Sequence, residues 1–271
     1  MAMSINTNAG AMIALQSLSA TNRNLETTQM RVTTGLRVAG PKDDAATFAI
    51  AQNMRGDVAG MGAVKINLAL GQSIVNVAID AGKAIADLLT EMKAKAVQAS
   101  QEGLDSDSYV ALNEEFTSLR AQITSIVATA EFNGKNLIDS ASTDLKVLST
   151  VDGSTITITK QSIDATTLAI HTATLSNATV AATALTAISQ AIIDVSNALA
   201  SLGSGAKRVD IQAEFTQKLM DIIKQGIGNL VDADLATESA NLQAFQIKQQ
   251  LGVQALAIAN SGPQAILSLF R

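Results

Sequence analysis

The side chains that most often catalyse reactions or bind metal ions are scarce in this sequence. It has no cysteine and one histidine, His171, which excludes disulfides, thiolate nucleophiles and cysteine-based metal sites. A Ser-His-Asp arrangement would have to use His171, whose neighbours are Thr, Ala and Leu, so we interpret it as a solvated or packed imidazole. The sequence therefore predicts a protein that is not an enzyme and holds no metal ion or cofactor.

Two groups of carboxylates remain as candidate sites. The run Asp-Ala-Asp-Leu-Ala-Thr-Glu at 232–238 is similar to a calcium loop, but an EF-hand needs glycine at its sixth position, where Thr237 stands. Asp at a helix start accepts hydrogen bonds from free backbone N–H groups and favours the positive end of the helix dipole. We therefore predict helix caps, with these candidates: Asp43, Asp44, Asp232 and Asp234.

Charge and hydropathy exclude two classes of partner. The 271 residues include 19 basic and 24 acidic ones, a formal charge of −5, and no basic run that would grip nucleic acid. The opening MAMSINTNAGAMIALQSLSA mixes Ser, Asn and Thr with apolar residues, unlike a secretory signal. No uninterrupted apolar stretch approaches the roughly 18 residues that cross a bilayer, so no membrane insertion is expected.

The elements that carry these residues are predicted to be long helices. Only Pro41 and Pro263 interrupt a chain that is 47% apolar and 3% aromatic. Apolar residues at gaps of three and four predict helices over 45–98, 105–130 and 180–225, the last weakened locally by Gly203 and Gly205. A threonine-rich stretch, with alternating β-branched residues after Asp-Gly, predicts a β-rich region at about 137–175 that includes a hairpin.

Both chain ends combine helical apolar spacing with very little charge. Residues 1–30 carry two charges and residues 239–270 carry one, and their polar positions hold mainly Gln, Asn, Ser and Thr. This pattern favours helices that are buried against several neighbours in an assembly and are largely unfolded in the free monomer. The alternative is that the two ends form one ordinary antiparallel pair within the monomer.

Several motifs near both ends resemble those of bacterial flagellins. They are Ser-Ile-Asn-Thr-Asn at 4–8, Arg-Val-Thr-Thr-Gly-Leu-Arg at 31–37, Lys-Asp-Asp-Ala-Ala at 42–46, the run at 232–238, Gln-Ile-Lys-Gln-Gln at 246–250, Ala-Ile-Ala-Asn at 257–260 and Pro-Gln-Ala-Ile-Leu-Ser-Leu at 263–269. The resemblance covers about residues 1–160 and 180–271. Because almost nothing is inserted in mid-chain, it indicates a minimal flagellin with little or no variable outer domain.

The resemblance implies a mainly α, flagellin-type fold with long antiparallel, coiled-coil-like helices from both chain ends and a small β-hairpin region. It implies an N-terminal inner-core helix (1–33), a spoke turn (34–44), an outer-core domain (45–225) and a C-terminal inner-core helix (226–271). The function it implies is that of a structural subunit of the helical filament of the bacterial flagellum, used for motility. The expected location is extracellular.

The resemblance also implies partners and a route out of the cell. Flagellins polymerise with other flagellin subunits, meet the filament cap and hook–filament junction proteins, and leave unfolded through the flagellar type III channel. An export chaperone usually covers the C-terminal helix, here about 227–271. Candidate polymerisation contacts, from the apolar spacing, are Ile5, Met12, Leu15, Leu18, Leu25, Leu242, Leu251, Leu256 and Leu267.

One segment departs from the pattern of many flagellins. Their long helix carries Arg-x-Arg-Glu-Leu-Ala-Val-Gln, which the innate immune flagellin receptor recognises. The matching run here is Glu-Met-Lys-Ala-Lys-Ala-Val-Gln at 91–98, with four altered positions: Glu91, Lys93, Ala94 and Lys95. Glu in place of the first Arg reverses a charge and removes a five-donor group, which predicts weak or absent receptor activation.

Some flagellins carry O-linked sugars on the filament surface. Without an outer domain, the hydroxyls of the threonine-rich stretch are expected at that surface. Candidate acceptors are Thr143, Thr155, Thr167, Thr172, Thr174 and Ser176.

Two alternatives to a filament subunit stay open. A hook–filament junction protein has the same terminal plan, although such proteins tend to have Pro after the paired aspartates, where Ala45 stands here. A secreted enzyme or adhesin with helical ends would need a site, and the sequence offers no candidate for one.

Overall fold

The computed structural model describes residues 7–267, with side chains for residues 7–261. This part of the chain forms five helices: α1 (Ala9–Thr34), α2 (Ala45–Ala99), α3 (Ser106–Thr129), α4 (Ala178–Val231) and α5 (Leu235–Leu267). Its four short strands all lie between α3 and α4: β1 (Glu131–Phe132), β2 (Lys135–Asn136), β3 (Leu145–Leu148) and β4 (Thr155–Ile158). The predicted mainly α fold, with long helices from both ends and a small β-hairpin region, is confirmed.

Both ends of α1 have residues suited to helix termini. Asn8 has extended backbone angles, and its Oδ1 accepts a hydrogen bond from the N–H of Ala11 at 3.1 Å. Gly35 has a left-handed φ of 70°, and its N–H donates to the carbonyl of Arg31 at 2.8 Å. In the described part of the chain, α1 therefore begins at Ala9.

The first two middle helices lie within one residue of the predicted ranges 45–98 and 105–130. Asp105 caps α3, because its side chain accepts a hydrogen bond from the N–H of Ser108 at 3.0 Å.

The helix α4 is longer than the predicted range 180–225 at both ends and continues through Gly203 and Gly205 without a break. A Cβ atom on Gly205 would lie 3.0 Å from Cγ2 of Ile158, so the missing side chain lets α4 approach the hairpin closely.

The strands β3 and β4 form the hairpin that the alternating sequence predicts. They pair antiparallel, with Leu145 opposite Ile158 and Leu148 opposite Thr155. Gly153, in the turn, has a φ of 90°, which only glycine adopts readily. The side chains of Leu145 and Ile158 are buried.

A second, smaller hairpin was not predicted. The strands β1 and β2 pair across Asn133 and Gly134, whose φ angles are 53° and 71°. An Asn-Gly pair with two positive φ angles is the preferred two-residue hairpin turn. The β-rich region therefore begins at Glu131, not near residue 137.

The middle of the chain, Asp57–Asp221, is one compact unit with its own core. The largest fully buried side chains of this core are Leu68, Ile85, Leu89, Met92, Phe116, Ile123, Leu137, Ile138, Ile163, Ile170, Leu175 and Ile188. Eleven of the twelve are not aromatic, in keeping with the low aromatic content of the chain. Burial of each one stabilises the unit by about 1.5–3 kcal/mol.

A second compact unit combines the described residues up to Gly56 with those from Ile222 onward. Its small core contains Val38, Ala51 and Val231. The two units divide inside α2 and α4, whereas the segments predicted from the sequence divide at 44/45 and 225/226.

The turns that follow α1 and α4 pair with each other inside this second unit. Leu36 and Asp232 form an antiparallel bridge, and the N–H of Ala233 donates to the carbonyl of Gly35 at 2.8 Å. The Arg37 Nη2 donates to the carbonyl of Leu230 at 2.6 Å. Backbone pairing therefore holds the turn between α1 and α2 against the end of α4.

Two helices, α2 and α4, are long and apolar enough to cross a membrane when judged by length and composition alone. In the Asp57–Asp221 unit, their apolar side chains include Leu68 and Val75 of α2 and Val195 and Leu202 of α4, all buried in the core. These buried side chains contribute part of the apolar character of the two helices.

Candidate assembly surface

The two terminal helices, α1 and α5, pack against each other in antiparallel orientation. The Nδ2 of Asn8 donates to the carbonyl of Ala259 at 2.8 Å, and the Nε2 of Gln249 donates to the Oδ1 of Asn22 at 2.9 Å. Between these contacts a Cβ atom on Gly252 would lie 3.1 Å from Cδ1 of Leu18. The structure therefore contains the antiparallel pair that one of the two alternatives describes.

An ion pair joins the helices near the turns. The Nη1 of Arg31 lies 3.0 Å from the Oε1 of Glu238, and the two side chains are 33% and 11% exposed. Arg31 is in the last turn of α1 and Glu238 in the first turn of α5, where each charge is favourable to its helix dipole.

The predicted polymerisation contacts fall into different environments. Met12, Leu15 and Leu251 are more than half exposed and face away from the partner helix. Half-buried positions are Leu18, Leu242 and Leu256. Leu25 is 9% exposed, so its side chain is largely covered within one chain. Ile5 and the side chain of Leu267 lie outside the described residues.

Further exposed apolar side chains extend this surface. They are Ile13 and Met30 of α1 with Leu235, Ile247, Val253 and Ile258 of α5. Ile247, Leu251 and Ile258 follow helical spacing, and this second apolar face of α5 is visible in the sequence. We call the set of Met12, Ile13, Leu15, Met30, Leu235, Ile247, Leu251, Val253 and Ile258 the terminal apolar surface.

Two of the four predicted caps occupy cap positions. The Oδ1 of Asp44 accepts from the N–H groups of Ala46 and Thr47, both at 3.1 Å. Asp234 repeats this arrangement at the start of α5, with the N–H of Ala236 at 3.0 Å.

The other two predicted caps are corrected. The Oδ2 of Asp43 accepts from the N–H groups of Ala39 and Gly40, so it closes the preceding turn rather than capping α2. Asp232 precedes Asp234 by two residues and takes part in the bridge to Leu36 through its backbone. The sequence could not separate adjacent aspartates, because the choice depends on where the first helical N–H groups point.

The two caps share a local sequence, and the pKa of each aspartate is lowered. A hydroxyl residue follows each aspartate by three positions, as in Thr47 after Asp44 and Thr237 after Asp234. Hydrogen bonds from the Thr47 hydroxyl and N–H lower the pKa of Asp44 below its usual 3.8. The hydroxyl of Thr237 has the largest such effect on the pKa of Asp234.

Two further aspartates among the described residues combine this spacing with a lowered carboxyl pKa. Ser108 follows Asp105, and its hydroxyl and N–H lower the pKa of that carboxyl. Thr167 follows Asp164. Burial acts to raise the pKa of Asp164, but the hydrogen bonds from Thr167 and Thr166 outweigh it, so this pKa is also lowered.

The altered receptor segment lies on the α2 surface. Glu91, Lys93 and Ala94 are exposed. Lys95 is half-buried and its ammonium group pairs with the carboxylate of Glu115 on α3. Three of the four altered side chains are therefore open to solvent.

The candidate acceptor hydroxyls are all exposed: Thr143, Thr155, Thr167, Thr172, Thr174 and Ser176. Two of them are already hydrogen-bonded. The Thr167 hydroxyl donates to the Oδ1 of Asp164 at 2.6 Å, and the Thr143 hydroxyl accepts from the Nζ of Lys135 at 3.2 Å.

Comparisons with known proteins agree along nearly the whole chain. A model of the bacterial flagellin N-terminal helical region matches residues 5–143, and one of the bacterial flagellin C-terminal helical region matches residues 185–270. Flagellin FljK of Caulobacter vibrioides is 47% identical over 269 residues, covering 99% of this chain and 98% of that protein.

Two solved structures share the fold. Bacillus cereus flagellin has a TM-score of 0.52 and 22% identity, covering 55% of this chain and 88% of that one. A Vibrio parahaemolyticus protein assigned to the flagellar hook-associated proteins has a TM-score of 0.58 and 15% identity, covering 70% of this chain and all of that one.

The family models and the full-length relative confirm the resemblance seen in the terminal motifs, and 271 residues fit a minimal flagellin. Flagellins are structural, non-enzymatic components of the bacterial flagellar filament, which is extracellular. The chain belongs to the bacterial flagellin family and is a structural subunit of the flagellar filament.

Proposed function

We propose that this flagellin polymerises through its terminal apolar surface. The observation that carries the proposal is the exposure of Met12 (63%), Leu15 (57%), Leu251 (56%) and Ile258 (73%) on the paired terminal helices. Apolar side chains exposed in such number on paired helices indicate protein contact. Contacts between unlike surfaces of neighbouring subunits produce a helical polymer when the rotation from one subunit to the next does not close a ring.

The terminal helices fold when the subunit joins the filament. The α1–α5 pair is the one that an ordinary intramolecular hairpin would form, but it leaves the terminal apolar surface uncovered. Charged residues on these helices are few and do little to favour exposure of this surface to water. The charged residues of α1 and α5 are Arg23, Glu26, Arg31, Glu238 and Lys248. Neighbouring subunits supply the burial that offsets the ordering entropy of the helices.

Four segments follow from this scheme. Residues 1–33 and 226–271 form inner-core helices, residues 34–44 form the spoke between layers, and residues 45–225 form the outer core. The pairing of Leu36 with Asp232 supports a spoke with a defined path.

The same surface gives the chain its partners before and during assembly. The subunit is exported unfolded through the flagellar type III channel and is thereby secreted. An export chaperone covers residues 227–271, where the exposed side chains of Ile247, Leu251 and Ile258 need shielding. At the growing filament the subunit contacts other flagellins, the filament cap and the hook–filament junction proteins.

The altered segment and the exposed hydroxyls add two surface properties. Receptor activation is weak because Glu91 is exposed where the receptor meets Arg in many flagellins. O-linked sugars are attached within the threonine-rich stretch.

A hook–filament junction role has less support. The structural likeness to a hook-associated protein is at 15% identity and reflects the fold, whereas a relative at 47% identity over nearly all of both chains is a flagellin.

The test is polymerisation of the purified chain, seeded with short filament fragments and followed by sedimentation and electron microscopy. The native chain is compared with a copy lacking residues 1–30 and with the double variant Met12→Gln/Leu15→Gln. A matched control is Ser17→Gln, an exposed polar position of α1. The proposal is supported if the native chain and the control form uniform tubes and the truncated copy and the double variant form none. Tubes from the double variant would contradict it.

A further inference from the structure

Two methionines of the terminal apolar surface are the most exposed methionines among the described residues. Met12 is 63% exposed and Met30 is 50% exposed. The other four described methionines are half-buried or fully buried: Met54, Met61, Met92 and Met220. The chain has no cysteine, so thioethers are its only sulfur groups. An oxidant of sulfur therefore meets its most accessible described targets on α1.

Met12 and Met30 lie on one side of α1. They are 18 residues apart, which is five turns of 3.6 residues and a rise of about 27 Å. Both belong to the terminal apolar surface, where the proposed polymerisation removes apolar side chains from water. A change in the polarity of these two side chains would therefore alter the contact surface near both ends of α1.

Hydrogen peroxide makes such a change. One oxygen of the peroxide bonds to the thioether sulfur as the O–O bond breaks, and the other oxygen leaves as water. The sulfur is oxidised by two electrons and the peroxide is reduced. The product, methionine sulfoxide, is a polar side chain that disrupts methionine-containing apolar contacts.

The sulfoxide affects the free subunit and the filament differently. In the free subunit, water hydrogen-bonds to the sulfoxide oxygen of an exposed side chain. Burial against apolar side chains of a neighbouring subunit would leave that oxygen without a hydrogen bond, which is unfavourable. Oxidation therefore opposes assembly while it leaves the free subunit largely unchanged.

We propose that Met12 and Met30 are modification sites for hydrogen peroxide in the free subunit, and that their sulfoxides stop the subunit from joining the filament. In the assembled filament, neighbouring subunits cover both thioethers and protect them from oxidation. The modification is reversible, because methionine sulfoxide reductases return the sulfoxide to the thioether. The inference rests on the proposed assembly through the terminal apolar surface.

The experiment treats purified monomers with hydrogen peroxide, removes the peroxide and measures the critical concentration in the seeded polymerisation assay. The chains are the native protein, Met12→Leu/Met30→Leu and the control Met54→Leu/Met61→Leu, which removes two half-buried thioethers of α2. Leucine keeps the apolar character and nearly the volume of methionine. Each treated chain is compared with its own untreated value. Peptide mapping by mass spectrometry gives the sulfoxide fraction at each methionine, in monomers and in native filaments treated in parallel.

The dose is chosen so that Met12 and Met30 of the native monomer are oxidised and the fully buried Met92 is not. At this dose the critical concentration of the native chain and of the control should rise at least about tenfold. Met12→Leu/Met30→Leu should keep its untreated value. Reductases for both sulfoxide epimers should restore polymerisation of the native chain. In treated filaments, Met12 and Met30 should remain thioethers.

Three results overturn the inference. One is a native chain that carries both sulfoxides and polymerises at its untreated critical concentration. Another is Met12→Leu/Met30→Leu that loses polymerisation at the same dose as the native chain. The third uses the native chain alone, and so decides even where the leucine variant assembles poorly: polymerisation that does not return after both sulfoxides are reduced.

The proposed function fails in a different way. Equal rates of oxidation of Met12 and Met30 in filaments and in monomers would contradict burial of the terminal apolar surface on assembly. Protection in filaments, together with normal polymerisation of oxidised monomers, would overturn only the inference about peroxide.

Discussion

A Cβ atom on Gly71 would lie 2.5 Å from Cγ2 of Val147, so the β3–β4 hairpin rests directly on the backbone of α2. Likewise, a Cβ atom on Gly60 would lie 2.9 Å from Cγ1 of Val151, and one on Gly82 would lie 2.8 Å from Cδ2 of Leu199. These three glycines are 11 residues apart, close to three helical turns, so they lie on one side of α2. The hairpin and α4 therefore approach α2 where it has no side chains.

The first prediction concerns the close packing of the hairpin on α2. Gly71→Ala places a methyl group against Val147, and overpacking of this kind costs about 1–3 kcal/mol. We expect a lower urea midpoint for the Asp57–Asp221 unit, followed by the fluorescence of Tyr109, the only tyrosine. The control is Gly62→Ala on the same helix, where nothing lies within 4 Å of the new Cβ. It should gain up to about 1 kcal/mol from helix propensity. Equal urea midpoints for the two variants would contradict the close packing of Val147 against the backbone at Gly71.

The second prediction separates contacts within a subunit from contacts between subunits. Leu25 is covered by its own chain, and truncation of a packed leucine costs about 2–5 kcal/mol. Leu25→Ala should therefore raise the critical concentration for polymerisation at least about tenfold, because about 1.4 kcal/mol corresponds to a factor of ten. Unfolding followed by Tyr109 should not change, and the exposed neighbour variant Asn24→Ala should polymerise like the native chain. A change in the unfolding transition followed by Tyr109 fluorescence would contradict this separation.

The third prediction concerns pH. Hydrogen bonds from Ser108 lower the pKa of Asp105 below 3.8 in the folded chain. The unfolded state therefore binds the proton first, and the stability that Asp105 contributes is complete above its ordinary pKa and is lost as the pH falls through the folded value. Asp105→Asn should be less stable than the native chain at neutral pH, with a difference that shrinks below about pH 3.8.

The matched control for Asp105 is Asp107→Asn, which removes the same charge from the first turn of α3. Urea midpoints measured across pH with the Tyr109 probe give the comparison. A difference between native and Asp105→Asn that does not change with pH would rule out the carboxylate as its source.

The fourth prediction concerns the immune-receptor segment. A variant with Glu91→Arg, Lys93→Arg, Ala94→Glu and Lys95→Leu restores the pattern of many flagellins and should activate reporter cells at doses where the native monomer does not. The loss of the Lys95–Glu115 pair is a minor cost, because ion pairs at the surface contribute about 0–1 kcal/mol. Strong activation by the native monomer would refute the proposal.

The fifth prediction concerns glycosylation. The hydroxyl of Thr167 is held by Asp164, so occupancy should favour the exposed hydroxyls without a protein partner among the described residues, such as Thr155 and Thr172. Peptide mapping of native filaments by mass spectrometry checks this order. An intact mass equal to the bare chain would dispose of the proposal.

Much of the fold is predictable because it depends on local patterns. Apolar spacing indicates α2 and α3 to within a residue, and Asp-Gly with alternating β-branched residues indicates the β3–β4 hairpin. The signal for β1 and β2 was equally local, in Asn133 and Gly134, but strands of two residues have no alternation to draw attention to them.

The assembly surface is less predictable, because spacing does not tell which partner covers a residue. Leu15 and Leu25 belong to one apolar pattern, yet Leu15 is exposed and Leu25 is buried. Likewise, Asp43 and Asp44 are chemically identical, and only the path of the turn decides which of them caps α2. Burial by a partner and the direction of a backbone N–H are tertiary properties.

The most direct measurement is the structure of the assembled filament by electron cryo-microscopy. We predict that Met12, Leu15 and Leu251 are buried between neighbouring subunits, while the α1–α5 pair within each subunit keeps the Arg31–Glu238 contact. A filament in which these three side chains stay exposed, with subunits joined only through the Asp57–Asp221 unit, would contradict it.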